Sequence, residues 1–553
     1  MPPYNKNRSR VACAACRSRK TRCDGARPKC SFCQENGCPC KYETPQGPSL
    51  ETSVDTILQK VSAIEKHLGV ENQSGTLVES LVSSSQMKEP SAFPLLTIKD
   101  SKFARIVFKQ DINLSTFARS LGQNKAVAEN TRTAVPPVYS PYQLIKLFFK
   151  HSYRWFPILN RRDIYQHKLS LIQNTVQTAD PDTFLILMVA AIGGLNANDS
   201  AGLHQAEEFH AQAMNMMGCV MEEISLRAIQ CVVLLALFYG FKVEPFKAQE
   251  YVSIGSIKMQ NLIEVRIASG PKDKSSEDNY GLGEYETRAF WALFILESEY
   301  AGTLHFSTGL TAYGNDMKYP SLYEEQYQEL DPSSPEAGYC DLGTPDPFFL
   351  AEIGIRKIID RTSFTFNSSQ YERGMSFAPI VAKELEAQLQ EWYSCLPEPI
   401  KFDLPSRVVL DAPELSASEH STCAFARGQY FATRMLIYWP CVMDMIEIDG
   451  NYSQMHEGVF NITLDSYICF IHRATTVRLS ELPLVWTHAV SIFAMTATVL
   501  RLSSASVFNY ANPAGLKSAI YKAISFLESV VPFSPSIERF REILNVLHGE
   551  DTQ

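Results

Sequence analysis

Residues 13–40 read CAACRSRKTRCDGARPKCSFCQENGCPC and hold seven of the chain's fourteen cysteines, with arginines and lysines threaded between them. The spacing Cys13-x2-Cys16-x6-Cys23 recurs as Cys30-x2-Cys33-x6-Cys40, so the segment is an internal duplicate. In each half a C-x2-C pair can clamp one ion through a tight turn, and the third thiolate returns after a short helix. Two tetrahedral zinc sites need eight ligand positions, whereas the repeat offers six sulfurs: Cys13, Cys16, Cys23, Cys30, Cys33 and Cys40. If two zinc ions are bound, two sulfurs must bridge, and the symmetry of the halves selects the first of each, Cys13 and Cys30. No histidine interrupts the cluster, and no ligand position is left open for water, so the site is structural rather than catalytic. Cys38 competes with Cys40 as the last ligand. The repeated x6 favours Cys40, which leaves Cys38 as a small apolar cover.

Between Cys16 and Cys23 the run RSRKTR places Arg17, Arg19, Lys20 and Arg22 on about one and a half helical turns. Such a helix is too short to fold alone, but held at both ends by metal it can present four cations together. The surrounding charge agrees. Residues 1–47 carry ten lysines and arginines against three acids, a net of +7, whereas the whole chain is −9, so the remainder is −16. A basic head on an acidic body implies a polyanionic partner for the head alone.

With these residues in view, the segment resembles the fungal binuclear zinc cluster family of Zn(II)2Cys6 transcription regulators. The pattern C-x2-C-R-x-R-K-x-[KR]-C-D-x-x-x-P-x-C-x-x-C-x6-C is met from Cys13 to Cys40, including the basic run, Asp24 and Pro28. The resemblance implies two zinc ions per chain, bridging by Cys13 and Cys30, and a nuclear protein that regulates RNA polymerase II transcription. It further implies that Lys20, helped by Arg19, reads guanines of a CGG-type triplet in the major groove of double-stranded DNA, where forked contacts to O6 and N7 are available. Arg17, Arg22, Arg27 and Lys29 then serve the phosphates, and Pro28 lies in the loop that joins the halves.

Outward from the cluster, residues 1–12 are a basic tail and 41–49 a linker broken by Pro45 and Pro48. Residues 50–69 place Leu50, Val54, Ile57, Val61, Ile64 and Leu68 at alternating spacings of four and three, an a/d seam that predicts a short coiled coil and a homodimer. The same pattern would also suit an amphipathic helix docked on the body. Residues 70–99 are polar and rich in serine, and read as a disordered linker. Residues 100–553 read as one all-α regulatory region. Helical periods run through 183–195, 203–223, 226–241, 246–265, 285–304, 347–361, 380–396, 420–440, 460–480, 485–503 and 513–531. Ser140-Pro141 supplies a cap and a first-turn proline for a helix before them. Stretches such as FFKHSYRWFPILNRRDI, ETRAFWALFILESEYAGTLHF and ARGQYFATRMLIYWP, taken in order, resemble the same family's large fungal-specific transcription factor (middle homology) domain.

The length fits roughly three or four domain equivalents. No signal peptide opens the chain, and its longest apolar runs, 183–195 and 228–241, are shorter than a membrane span. A reducing compartment follows, in which metal binding outranks disulfides for the cluster. The chain holds no P-loop, H-E-x-x-H, G-x-S-x-G or G-x-G-x-x-G, so no enzyme is expected. A metal buffer would not need the basic run, and an RNA-binding zinc knuckle should carry histidine and exposed aromatics. The compact layout resembles pathway-specific regulators of secondary-metabolite gene clusters. Partners expected beyond DNA and a second copy are the transcription machinery, with no membrane.

Overall fold

Helices begin where the capping residues ask them to. Ser140 accepts from the amide of Gln143 at 3.3 Å while the Gln143 side chain accepts from the Ser140 amide at 2.8 Å, a reciprocal cap that starts the first described helix of the second unit, Pro141–His151. The side chains of Asp180, Ser225 and Asn512 accept from the amides of Thr183, Ala228 and Gly515 and so cap Pro181–Asn196, Leu226–Phe241 and Pro513–Val530 one way, without the reciprocal bond. The computed structural model describes residues 13–19, 21, 23, 24, 26, 29–40, 138–165, 179–269, 280–304, 309–321, 347–367, 379–398, 400–404, 421–447, 454–505 and 508–550. The basic tail 1–12, the linkers 41–49 and 70–99, the seam 50–69 and the stretch 100–135 lie outside the described residues. Two units divide the chain, Met1–Gln86 and Met87–Gln553.

The second unit is all-α among the described residues. Pro181–Asn196 is its central helix. All residues from Thr183 to Asn196 are buried, the signature of a helix surrounded by others rather than one facing water. Gly193 and Gly194 let two neighbours come close: a Cβ on Gly193 would lie 2.0 Å from the Leu144 carbonyl oxygen, and one on Gly194 would lie 2.6 Å from that of Gly202. Leu226–Phe241 packs on this helix, Pro245–Ser269 on Leu226–Phe241, and Glu284–Leu304 on Pro245–Ser269. A second group follows: Phe348–Asn367, Pro379–Ser394, Ser421–Ile437, Gln454–Ala474, Val485–Ala505, Pro513–Val530 and Pro535–Glu550. The groups join where Glu284–Leu304 meets Phe348–Asn367 and Val485–Ala505. One continuous apolar core runs from Leu144 to Leu547, so the body is a single unit and not the several that length suggested.

Most expected helices are present within a few residues, and the departures have local causes. The stretch expected at 203–223 is two helices, Ser200–Met214 and Met217–Glu222. Lys258 caps the second by donating to the carbonyls of Met221 at 2.9 Å and Glu223 at 2.8 Å, with burial holding its ammonium below its usual range. The stretch expected at 420–440 breaks at Tyr438, and Trp439–Glu447 restarts on Pro440, which has no amide hydrogen to continue the preceding helix. Pro535–Glu550 was not expected, although Ile537, Phe540, Leu544 and Leu547 recur on one buried face. Val485–Ser504 is long and apolar enough to cross a membrane, yet 89% of it is buried inside the body. Run length overlooked it because Thr487, Ser491, Thr496 and Thr498 interrupt the apolar residues. Each of these hydroxyls donates to a carbonyl of its own or the adjoining turn, which lets it sit in the core.

Candidate metal centre and nucleic-acid interface

Each half of the cysteine repeat opens with a short helix, but the first ends at Ser18, with Arg19 in a turn, so the basic run is not carried on the one and a half helical turns expected of it. Cys13 precedes a short helix, Ala14–Ser18, that carries Cys16, and Cys30 precedes Ser31–Glu35, which carries Cys33. The Cys16 amide donates to Cys13 Sγ at 3.5 Å, and the Cys30 amide donates to Cys40 Sγ at 3.4 Å. Between the halves, Cys13 Sγ lies 3.7 Å from Cys30 Sγ and 3.6 Å from Cys33 Sγ, and Cys16 Sγ lies 3.7 Å from Cys30 Sγ. Four sulfurs at about 2.3 Å from one tetrahedral ion are separated by about 3.8 Å, so these spacings suit shared coordination. Two sets of four gather within 4.8 Å: Cys13, Cys16, Cys23 and Cys30, and Cys13, Cys30, Cys33 and Cys40. Cys13 and Cys30 belong to both sets, and Cys38 belongs to neither.

The acid–base chemistry of the cluster asks for cations. The Cys16 amide holds the Cys13 thiol down at about 6, while burial pushes Cys16 up and Cys33 up to about 12. At Cys30 the Cys33 amide favours the thiolate, but burial and the neighbouring sulfurs outweigh it and the thiol is raised. The sulfurs therefore cannot all ionise by themselves. Ions of double positive charge among them would allow it, which is the fit expected of an all-thiolate structural site.

Residues 11–49 match the Fungal Zn(2)-Cys(6) binuclear cluster domain, and residues 145–394 match the Fungal specific transcription factor domain. The chain belongs to the fungal zinc cluster transcription factors. A chain named as a transcription factor, ecdB of Aspergillus rugulosus, is 27% identical over 556 residues, which cover 97% of each chain. The transcriptional activator protein acu-15 of Neurospora crassa is 22% identical over 519 residues, covering 79% of this chain and 52% of acu-15, so this chain spans about half of that relative. The citrinin biosynthesis transcriptional activator mrl3 of Monascus ruber is 33% identical over 82 residues, 14% of this chain and 16% of mrl3. No solved structure matches the chain.

As a zinc cluster protein the chain binds zinc and DNA, and its family is one of transcription factors rather than enzymes. Of the cations expected at the DNA, Arg19 and Lys29 are exposed. Arg19 donates through Nη1 to Cys38 Sγ at 3.3 Å, so the seventh sulfur anchors a guanidinium, a contact the sequence reading did not anticipate. Arg17 lies on the first short helix. Lys20, Arg22, Arg27 and Pro28 lie outside the described residues, as do Leu50, Val54, Ile57, Val61, Ile64 and Leu68 of the seam.

Asp24 has a role that its place in the motif did not reveal. Its carboxylate accepts from the Ser31 amide at 3.2 Å on both oxygens, from the Ser31 hydroxyl, and from the Ala26 amide at 3.4 Å. The Ser31 hydroxyl holds its carboxyl below the usual range. Cys30 makes no side-chain cap for Ser31–Glu35, because its sulfur faces the cluster. Asp24 caps that helix from the other half of the repeat and ties the connecting loop to it. The signal available in sequence was an acid directly after a cysteine in a segment otherwise dominated by cations.

Proposed function

We propose that the chain is a nuclear regulator of RNA polymerase II transcription that finds its genes by reading CGG-type triplets through residues 13–40, loaded with two zinc ions. The observation that carries this reading is the pair of four-sulfur sets sharing Cys13 and Cys30. In this reading Cys16 and Cys23 complete one site, and Cys33 and Cys40 complete the other. The metal supplies the folding energy and positive charge that let six thiolates share one small core. Lys20, helped by Arg19, reads guanine edges, while Arg17, Arg22, Arg27 and Lys29 bind phosphates and set the register.

One such head reads about three base pairs, too few to single out a site in a genome. Pairing two heads multiplies specificity, and the seam from Leu50 to Leu68, with residues 41–49 as spacer and 70–99 leading to the body at 100–553, would pair them as a homodimer. The names of relatives that regulate biosynthetic genes, mrl3 among them, support a role in controlling a secondary-metabolite gene cluster. Selection of preferred sequences from random DNA by the zinc-loaded full-length chain tests the reading. Enrichment of paired CGG-type triplets, abolished by a zinc chelator, is expected. Enrichment that survives the chelator, or none at all, would refute it.

A further inference from the structure

Cys38 stands in neither four-sulfur set, yet the place of its sulfur is built from several sides. Gly37 has φ +63°, a left-handed turn that ends the helix Ser31–Glu35. The Cys38 amide closes that turn on the Cys33 carbonyl at 3.0 Å. Pro39 follows and restricts the backbone of Cys38 to extended forms. The thiol gives its proton to the Asn36 carbonyl at 3.4 Å. What remains on the sulfur is lone-pair density, and Arg19 Nη1 donates to it at 3.3 Å.

Arg19 reaches this sulfur from the other half of the repeat. Its amide donates to the Ala15 carbonyl at 3.3 Å just past the helix Ala14–Ser18, so its backbone is fixed while the residue stays exposed. An exposed arginine samples many rotamers, and stilling it costs entropy when a partner binds. The sulfur restricts that freedom before any partner arrives. It takes one of the five N–H groups of the guanidinium and leaves a fork for O6 and N7 of a guanine. The kind of acceptor matters as well. A carboxylate here would hold Arg19 more strongly but offset the charge that draws it to DNA. A thiol that keeps its proton orients the guanidinium and leaves its charge whole.

We propose that Cys38 is a positioning residue for DNA recognition, which aims the Arg19 guanidinium and so sharpens the choice of triplet while holding no zinc. This role rests on the reading of Arg19 as the helper of Lys20 at guanine edges. A thiol that only covered the cluster would need neither the Asn36 carbonyl nor the guanidinium. A clamp between the halves is not what the contact adds, because Cys13 and Cys30, which stand in both sulfur sets, already join them.

Competition binding of the zinc-loaded full-length chain to its selected site and to random DNA tests the role, with native mass spectrometry counting zinc in each variant. Cys38→Ala should keep the parent's zinc count and lose about three- to tenfold in preference for the selected site, the cost of ordering one long side chain. Cys38→Ser, whose hydroxyl also accepts, should recover most of that preference. With Arg19→Ala already in place, Cys38→Ala should cost nothing more. Zinc loss from Cys38→Ala, or an equal loss of preference with and without Arg19, would overturn the proposal. An unchanged preference in Cys38→Ala beside a reduced one in Arg19→Ala would overturn it alone, whereas an unchanged preference in Arg19→Ala would overturn the reading of Arg19 and this role with it.

Discussion

Removing Cys13 should do more damage than removing Cys40, although both are single thiols in the same cluster. Cys13 belongs to both four-sulfur sets and Cys40 to one. Cys40→Ala therefore leaves Cys13, Cys16, Cys23 and Cys30 as a complete tetrahedral set, whereas Cys13→Ala leaves only three sulfurs at each site. A structural zinc in a small domain is worth about 10–16 kcal/mol of folding free energy, so the loss of one site and the loss of both are far apart. The geometry strengthens the asymmetry, because Cys13 Sγ is also the acceptor of the Cys16 amide and lies 3.6–3.7 Å from Cys33 and Cys30. Native mass spectrometry of full-length variants would count the ions. Cys40→Ala should retain one zinc and Cys13→Ala none, with Cys30→Ala behaving as Cys13→Ala does. In the parent protein Cys38, which stands in neither set, should be the one thiol of residues 13–40 open to an alkylating reagent while metal is bound. Equal zinc loss from Cys13→Ala and Cys40→Ala would refute the shared-sulfur argument, and zinc loss from Cys38→Ala but not from Cys40→Ala would move the last ligand to Cys38.

Other expectations concern DNA, assembly and acid. Lys20→Ala should keep its zinc but lose about 1–3 kcal/mol of discrimination for the preferred triplet, while Arg22→Ala should weaken specific and random DNA alike and lower the salt slope by about one ion; competition binding at several salt concentrations separates the two. Asp at both Val61 and Ile64 should abolish dimers in sedimentation and cut affinity for a paired site far more than for a single triplet. Glu481, 14% exposed, accepts from His151 at 3.2 Å, Ser421 at 2.6 Å and Arg478 at 3.2 Å. Burial opposes its charge, yet these partners, His151 foremost, hold its carboxyl down from 4.5 to about 2. The folded-state pKa is depressed, so its stabilisation is present above about pH 4.5 and fades as pH falls toward 2, with an upper bound of ~3 kcal/mol. Urea unfolding of Glu481→Gln should show a deficit at pH 7 that shrinks below pH 4; a deficit that does not change with pH would contradict the assignment.

The metal centre was legible because its information is local. Ligand spacing, duplication and sulfur count all lie within residues 13–40, and the proposal that Cys13 and Cys30 bridge rests on that count and on the symmetry of the halves. The helices were legible where caps and prolines mark their starts, as at Ser140 and Asp180. Tyr438 interrupts an otherwise unbroken apolar period, so the chain there gives no warning beyond Pro440. The buried ion cluster around Arg356 was only partly legible. Arg356 and Glu352 stand four residues apart, a pairing visible in the sequence, but Glu299 and Gln429 come from two other helices and meet them only once the core is assembled. Arg19 and Cys38 illustrate the same limit inside the small domain, since their contact depends on how the second half of the repeat folds back on the first.

The most direct test of the central claim is the zinc content of the full-length chain, read as intact mass under native conditions before and after chelation. Two zinc ions per chain are expected, removed together, with sequence-specific DNA binding lost in the same step. One ion per chain, or DNA recognition that persists in the metal-free protein, would contradict it.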